Sequence, residues 1–292
     1  MSGAGRVRGE AGPLRPGGRW RLDLGLWAAN GALVAYIVIS LVPLAWLLIT
    51  SFKYQVDMFA RPPRLLFTPT LDHYVTVLGK SNFPSYVKNS LLAGGLATGA
   101  SLVIGSLCAY GIARFDFRGR GAILLWVLVV RLIPPLALII PFYMMLRSLG
   151  LYDTVLGLGI VYLSLNLPLT VWLMTTYFAE VPVAVEEAAM VDGCSRIGAL
   201  WRVVLPLTAP GLVATSVITL IFSWNEFPFA LMLTAGEAKT APVSITEWLV
   251  ERGLLWGELS ASGTLIILPV LIFAAFVQRH LVRGLTIGAV KS

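Results

Sequence analysis

Six residues with polar, charged or indole side chains stand inside long apolar stretches of the sequence, where such groups are rare. They are Arg131, Ser164, Asn166, Trp224, Asn225 and Glu226. An indole ring can stack on the apolar face of a sugar ring, whereas amide and carboxylate groups bind its hydroxyls. An ionisable side chain inside a hydrocarbon layer is costly unless it faces water, protein or a counter-charge. The sequence therefore indicates that these six residues are candidates for the lining of a polar path through the membrane.

Four of these residues also have an interpretation that involves no solute. Arg131 and Glu226 would suit an ion pair with each other or with another subunit. Asn166 would suit a hydrogen bond between helices, and Trp224 would suit an anchor at a membrane interface. The sequence leaves these alternatives open.

A second constellation occupies a short polar segment between two apolar runs. Its members are Glu187, Ala188, Ala189, Asp192, Gly193, Leu205 and Pro206. Gly193 suits the left-handed position that ends a helix, and Ser195 suits the cap of the next helix. Spacing of i, i+3, i+4 and i+7 predicts that this next helix has one apolar face, made of Ile197, Leu200, Trp201 and Val204. Residues 180–208 are thus expected to form a helix-turn-helix that presents Glu187 to a cation of another protein.

The elements that must carry these residues are long apolar runs. Hydrophobic residues make up 57% of the 292 residues and charged residues only 13%, whereas soluble domains have about 25% charged residues. Crossing a bilayer takes roughly 20 helical residues. Runs of sufficient length lie at residues 24–50, 87–113, 122–146, 154–177, 211–234 and 262–282. The chain is therefore predicted to be an all-α membrane protein with six transmembrane helices.

Lysine and arginine set the expected orientation, because cytoplasmic loops of membrane proteins are enriched in both. Six spans put the two termini on one side, and that side, which includes residues 180–208, carries most of the basic residues. Both termini and this segment are therefore expected in the cytoplasm, with residues 1–20 as an N-terminal tail and residues 21–292 as the transmembrane domain. The net charge of +7 follows from this topology and does not indicate nucleic-acid binding.

The sequence carries no recognisable catalytic, metal or nucleotide signature. Its two cysteines and two histidines are isolated from one another, unlike the clustered ligands of metal sites. Gly79-Lys80-Ser81 resembles the end of a phosphate-binding loop, but Tyr74 occupies the position of the required earlier glycine. No catalytic residue, metal or cofactor is expected in this chain, so any ATP that drives it must be hydrolysed by a separate subunit.

Three pieces of the polar segment, Glu187-Ala188-Ala189, Asp192-Gly193 and Leu205-Pro206, together resemble the EAA loop of binding-protein-dependent ABC importer permeases. Further pieces similar to the sugar-importer branch are spread along the chain: Lys88-Asn89-Ser90-Leu91, Ala109-Tyr110, Ala113-Arg114, Ile133-Pro134, Trp224-Asn225-Glu226, Arg283-Gly284-Leu285-Thr286 and Ala289-Val290-Lys291. The resemblance covers nearly the whole chain from the first apolar run onward.

This resemblance implies a type I ABC importer permease in the inner membrane of a bacterial or archaeal cell. The implied partners are a second permease subunit in a heterodimer, two ATPase subunits, membrane lipid and an extracytoplasmic solute-binding protein that delivers a sugar-like substrate. The loops at residues 51–86 and 235–261 are the expected surface for that binding protein. The resemblance further implies that residues 180–208 insert into a cleft of the ATPase, where Glu187 pairs with a basic residue. ATP is then bound by the partners.

A secondary transporter driven by an ion gradient is the first alternative. Such a protein needs its own ion site, usually with internal repeats and several buried carboxylates, whereas Glu226 is the only carboxylate predicted well inside a span. A structural membrane subunit without a path is the second alternative, and the polar residues inside the apolar runs argue against it.

Overall fold

A computed structural model describes residues 24–250 and 253–288 of the chain. The N-terminal tail predicted at residues 1–20 and the C-terminal residues 289–292 lie outside these ranges. The regular secondary structure of the described part is helical apart from one antiparallel pair of two-residue strands, β1 (Leu249–Val250) and β2 (Gly253–Leu254).

The helices vary from single turns to lengths that cross a bilayer. In chain order they are α1 (Leu24–Thr50), α2 (Gln55–Met58), α3 (Asp72–Gly79), α4 (Phe83–Arg114), α5 (Arg120–Val129), α6 (Pro135–Ser148), α7 (Val155–Glu180), α8 (Val183–Val191), α9 (Arg196–Ala199), α10 (Leu205–Leu207), α11 (Ala209–Trp224), α12 (Pro228–Leu233) and α13 (Trp256–Gly288). Turns of 3-10 helix lie at Val130–Leu132 and Pro242–Trp248, and a π-helical turn lies at Leu200–Val204. Within the described residues, α1, α4, α7 and α13 are long and apolar enough to span a membrane.

Two further spans are bent. Residues 120–132 and 135–148 form a pair bent by 93°, and residues 196–207 and 209–224 form a pair bent by 76°. Counting each bent pair as one span gives six spans, which is the number that the sequence predicts. The second pair, however, begins inside residues 180–208, whereas the sequence places its fifth span at residues 211–234. The third span expected at residues 122–146 is interrupted in the structure, because Ile133 is extended before Pro134. A residue that precedes proline avoids the helical conformation.

The fifth predicted span, residues 211–234, is also divided. α11 ends at Trp224, and α12 begins at Pro228, which suits a first helical position because it has no N–H to leave unpaired. The gap between them contains Glu226. A carboxylate therefore stands immediately before the N-terminus of a helix, where the helix dipole favours negative charge.

α4 and α7 form the most extensive helix pair of the described chain. Their close approach depends on Gly105, since a Cβ atom at this position would lie 2.7 Å from Cγ2 of Thr170. Small residues at such contacts let two membrane helices pack backbone against backbone. We expect α4 and α7 to move together when either one is displaced.

A single carboxylate organises the loop that follows α12. Asp153 lies between α6 and α7, and its two oxygens accept the backbone N–H groups of residues 235–238 at distances of 3.0 to 3.2 Å. Burial acts to raise the pKa of Asp153, but the four N–H donors outweigh burial and hold the pKa below its ordinary value. The ionised carboxylate therefore stabilises the loop.

Replacing Asp153 with asparagine should loosen residues 235–238. The amide keeps the shape but loses the charge, and the weaker hydrogen bonds should cost about 1 kcal/mol. Amide hydrogen exchange in the loop should therefore become roughly fivefold faster at neutral pH. Because the native pKa is depressed, the contribution of the carboxylate is present above the pKa of the unfolded chain and is lost as pH falls through the native pKa.

The difference in exchange between the two proteins should accordingly disappear in acid. Glu237→Gln is the matched control, because it neutralises an exposed carboxylate of the same loop and should leave exchange unchanged. Equal exchange in Asp153→Asn and the unaltered protein at neutral pH would show that the charge does not hold the loop.

Candidate functional site

The segment predicted at residues 180–208, here called the coupling segment, begins with α8 and a tight turn. Gly193 has a φ of +92°, a left-handed conformation that favours glycine. Its N–H donates to the carbonyl oxygen of Met190 at 3.1 Å, and the N–H of Cys194 donates to that of Ala189 at 3.0 Å. These two bonds around a left-handed residue form a Schellman motif, which satisfies the last carbonyls of the helix.

The second half of the coupling segment starts at a capped helix end. The Ser195 hydroxyl oxygen accepts the N–H of Gly198 at 3.1 Å, as expected of an N-cap serine. The helical chain continues through Pro206 and ends at Leu207. The coupling segment is therefore the expected helix-turn-helix, and it leads directly into α11 across Thr208.

The four apolar residues predicted to share one face of the second helix differ in burial. Leu200 and Val204 are buried in a core cluster with residues of α4 and α7, whereas Ile197 and Trp201 are 70% and 59% exposed. A π-helical turn occupies residues 200–204. Its i→i+5 bonding disrupts the spacing on which the prediction depends.

The residues predicted to dock on a partner lie mainly at the surface of the coupling segment. Ala189 and Leu205 are half-buried, and the exposed members are Glu187, Ala188, Asp192, Gly193 and Pro206. In the described part of the chain, no ion pair involves Glu187 or Asp192. Two carboxylates are therefore presented to the surroundings at one end of the coupling segment.

Glu186 is buried, whereas its neighbour Glu187 is exposed. It is only 2% exposed. Its Oε2 accepts Nε–H of Arg114 at 2.8 Å, and its Oε1 accepts the hydroxyl of Tyr110. Arg114 also donates from Nη2 to the carbonyl oxygen of Val181 at 2.9 Å. The first turn of α8 is thereby joined to the last turn of α4.

From the sequence alone, no role for Glu186 is evident. The signal that points to this contact is the spacing of Tyr110 and Arg114, which are four residues apart and so share one face of α4. Their partner lies more than 70 residues further along the chain. Two adjacent glutamates occupy that region, and only the fold decides which of them turns inward.

A cavity of about 390 Å³ lies between the bent third span, α7 and the gap that separates α11 from α12. Its polar lining includes four of the sequence candidates, Arg131, Ser164, Asn166 and Glu226. Much of the remaining wall is aromatic or aliphatic, including Phe142, Phe222, Phe229 and Leu138. A mainly apolar wall with a few polar groups is typical of sites for small molecules.

Arg131 and Glu226 line the same cavity without forming an ion pair. Arg131 lies in the 3-10 turn at the break of the third span, and its guanidinium carbon is 5.4 Å from the ring centroid of Phe222. The Glu226 carboxylate instead caps α12, accepting the N–H groups of Phe229 and Ala230 at 2.9 and 3.0 Å. Arg131 is exposed in this chain, so its guanidinium is available to a solute or to another subunit.

Asn166 both forms a hydrogen bond between helices and lines the cavity, which are the two roles that the sequence suggests for it. It is buried, and its Nδ2 donates to Oγ of Ser223 at 2.7 Å, which joins α7 to α11. It also borders the cavity. Ser164, two residues earlier, is exposed and donates to the carbonyl oxygen of Val161 at 2.7 Å, so its oxygen still has capacity to accept a hydrogen bond.

Trp224 and Asn225 do not line this cavity. The Trp224 indole is 1% exposed, and its Nε1–H donates to the carbonyl oxygen of Ile266 at 3.1 Å, which packs α11 against α13. A ring buried in this way cannot stack on a solute, and the stacking role expected for Trp224 is replaced by a packing role. Asn225 is exposed and donates back to the carbonyl oxygen of Ile221 in α11.

Among residues 24–250 and 253–288, no group of three His, Cys, Asp or Glu side chains is placed to hold a metal ion. Cys108 and Cys194 are free thiols.

A family model described as "Binding-protein-dependent transport system inner membrane component" matches residues 101–287. The matched range includes the whole coupling segment and all of the residues that line the cavity. Both structural features described above therefore fall within the range matched by one family model.

Two relatives align with nearly the whole chain. The trehalose/maltose transport system permease protein of Thermococcus litoralis is 36% identical over 258 residues, which cover 87% of this chain and 92% of that protein. The diacetylchitobiose uptake system permease protein of Streptomyces coelicolor is 35% identical over 268 residues, which cover 91% of this chain and 97% of that protein.

A solved structure shares the fold. It is the crystal structure of a bacterial ABC transporter involved in the import of the acidic polysaccharide alginate, and one of its chains is 24% identical to this one. The TM-score is 0.73, with 89% of this chain and 98% of that chain covered. The helical arrangement described here is therefore that of an ABC importer permease.

Proposed function

The chain belongs to the family of binding-protein-dependent transport system inner membrane components, and we propose that it is the permease subunit of an ATP-driven importer that moves a sugar or a sugar-like solute into the cytoplasm. Relatives in Thermococcus litoralis and Streptomyces coelicolor that support this substrate class are permeases of sugar transport systems. The observation that carries the proposal is the structure of the coupling segment. Its α8 exposes Glu187, and Asp192 is exposed directly after it, whereas the buried ion pair between Glu186 and Arg114 joins the first turn of α8 to α4. A helix held in this way is suited to receive force from another subunit.

The coupling segment has a direct connection to the cavity. Its second half continues into α11 through a bend of 76° at Thr208. α11 contributes Phe222 and Ser223 to the cavity wall, and Ser223 is hydrogen-bonded to α7. Closure of the ATPase subunits moves the coupling segment, tilts α11 and so changes the side from which the cavity is open.

The solute path proposed for this chain is the cavity lined by Arg131, Ser164, Asn166 and Glu226. Aromatic wall residues suit the apolar face of a sugar ring. Ser164 and the guanidinium of Arg131 offer hydrogen bonds to its hydroxyls. In a path shared with a second permease, this cavity is one wall of the route.

The proposed complex contains a second permease in a heterodimer, two ATPase subunits that bind ATP, and an extracytoplasmic solute-binding protein. Both termini and the coupling segment face the cytoplasm and the ATPases. The loops at residues 51–86 and 235–261 face the binding protein. Within the second loop, Trp248 is buried and hydrogen-bonded to Ser262, so Trp256, which is 44% exposed, is the tryptophan available for that contact.

Reconstitution of the complete complex in proteoliposomes tests this function. The ligand that the binding protein retains should enter only when ATP is supplied on the side of the ATPase subunits, and ionophores should not reduce the uptake. Uptake by the chain alone that collapses with ionophores would identify an ion-driven transporter. A complex that assembles and hydrolyses ATP but moves no solute would identify a structural subunit.

A further inference from the structure

A charged contact made by Glu186 joins α8 to α4. Glu186 is the only residue of α8 that is buried. Short helices in proteins are ordinarily stabilised by packing an apolar face against a core. No apolar residue of α8 is fully buried, although Ala189 and Met190 are half-buried. The contacts of Glu186 are therefore the buried part of the attachment of α8 to the membrane spans.

These contacts are directional and shielded from solvent. The two carboxylate oxygens of Glu186 are used separately, one by Arg114 and the other by Tyr110. The side chains of Arg114 and Glu186 are 4% and 3% exposed. A charge interaction is stronger in such surroundings than in water, and charge-assisted hydrogen bonds impose a fixed length and direction. An apolar contact of the same size would allow the helices to slide past each other.

The other side of the contact is part of the packed membrane domain. Arg114 is the last residue of α4, and Tyr110 lies one turn earlier. The Tyr110 ring packs edge-to-face on Phe178 of α7, with ring centroids 5.9 Å apart. α4 and α7 are in turn packed along their length, and α7 forms one wall of the cavity. A displacement of Glu186 therefore reaches the cavity through two helices that are in contact with each other.

We propose that Tyr110, Arg114 and Glu186, here called the linkage cluster, transmit the movement of α8 to α4 and α7, with Glu186 as a positioning residue for transport. This inference rests on the proposed function and adds a second route to the one through α11. Successive helical residues are turned by about 100°, so Glu187 faces the ATPase while Glu186 faces the spans. In this proposal, Glu187 receives the movement from the ATPase, and Glu186 passes it to the membrane spans.

The test is the number of solute molecules imported per ATP hydrolysed, measured on assembled complexes in proteoliposomes. Glu186→Gln keeps the size of the side chain but removes the charge that binds Arg114. Its ratio of import to hydrolysis should fall about tenfold, because the neutral amide makes weaker and less directional bonds. Assembly is checked separately by co-purification of the ATPase subunits with the variant permease. A cluster that served only folding would lower the amount of complex and leave the ratio unchanged.

Asp116→Asn is the matched control. It breaks the ion pair between Asp116 and Arg120 at the same end of α4, where the Asp116 side chain is fully exposed, and the ratio should not change. An assembled Glu186→Gln complex with the ratio of the unaltered protein would overturn the inference. If Glu186→Gln does not assemble, Tyr110→Phe decides the question, because it keeps the ring on Phe178 and removes only the hydroxyl. A reduced ratio in Tyr110→Phe supports the linkage, and an unchanged ratio overturns it.

The failure of this inference can be told apart from a failure of the proposed function. If the unaltered complex imports solute without ATP, the proposed function is wrong. If the unaltered complex couples import to ATP and Glu186→Gln or Tyr110→Phe does so equally well, only the linkage is wrong.

Discussion

Replacing Glu187 with lysine is expected to reduce ATP-driven uptake by at least about 30-fold while the protein still inserts into the membrane. Glu187 is exposed and forms no ion pair in the described chain, so the fold should change in stability by less than about 0.5 kcal/mol. In the complex, the lysine would face the basic residue that the carboxylate is proposed to bind. Losing one member of a buried charge pair costs about 2–5 kcal/mol, and here the repulsion of like charges adds to that loss.

The measurement is ATP hydrolysis stimulated by the loaded binding protein, together with solute uptake, in reconstituted complexes. Asp116→Lys is the matched control, since it reverses an exposed acid on the loop between α4 and α5 and should leave both activities unchanged. Full stimulated hydrolysis by Glu187→Lys would mean that this carboxylate does not contact the ATPase.

Gly193→Val should also disturb the proposed contact with the ATPase, in this case by changing the backbone conformation of the coupling segment. At a φ of +92°, a β-branched residue is strained by about 1–3 kcal/mol. No described atom lies within 4 Å of a Cβ built at this position, so the effect is confined to the geometry of the turn. The second helix should leave the turn in a different direction, and stimulated hydrolysis should fall as it does in Glu187→Lys. Normal hydrolysis in this variant would show that the docking surface tolerates a changed turn.

Filling the cavity should separate transport from ATP hydrolysis. Ser164→Trp places an indole in the cavity of about 390 Å³, and uptake should fall about tenfold or more, since the ring occupies space that the solute needs and a steric clash of this kind costs about 1–3 kcal/mol. The coupling segment is unchanged, so hydrolysis stimulated by the loaded binding protein should persist. Solute uptake and stimulated ATP hydrolysis should be measured on the same preparation, where only uptake should be reduced.

Leu156→Trp serves as the control for the cavity variant. Leu156 lies on the same helix, α7, is 54% exposed and does not line the cavity. It introduces the same ring at a different place, and uptake should remain close to that of the unaltered protein. Normal uptake by Ser164→Trp would mean that the solute does not pass this cavity.

Local features of the coupling segment follow from rules that act over a few residues. Only glycine adopts a positive φ without strain, and Gly193 accordingly ends α8 in a left-handed conformation. A serine hydroxyl readily caps a helix, and Ser195 does so two residues later. Such features are predictable because the interacting groups are close in sequence.

Membrane helices are predictable for a similar reason, since length and apolar composition alone decide whether a run can cross a bilayer. Their bends are predictable only in part. Ile133, Pro134 and Pro135 signal an interruption of the third span, but the 93° bend depends on how α6 packs against α7 and α12. The position of Arg131 at that bend, beside Phe222, follows from this packing and not from its distance along a straight helix.

The amino-acid sequence by itself determined that this chain has six apolar runs long enough to cross a membrane and a helix-ending turn at Gly193, because these properties depend on composition and on neighbours within a few residues. Only the tertiary structure decided that Glu186 is buried on Arg114 while Glu187 is exposed, and that Trp224 packs on α13 while Arg131 and Glu226 reach one cavity. The physical reason is that the partners in these contacts lie tens of residues apart. Glu186, and not Glu187, is buried because the fold places Tyr110 and Arg114 of α4 next to it.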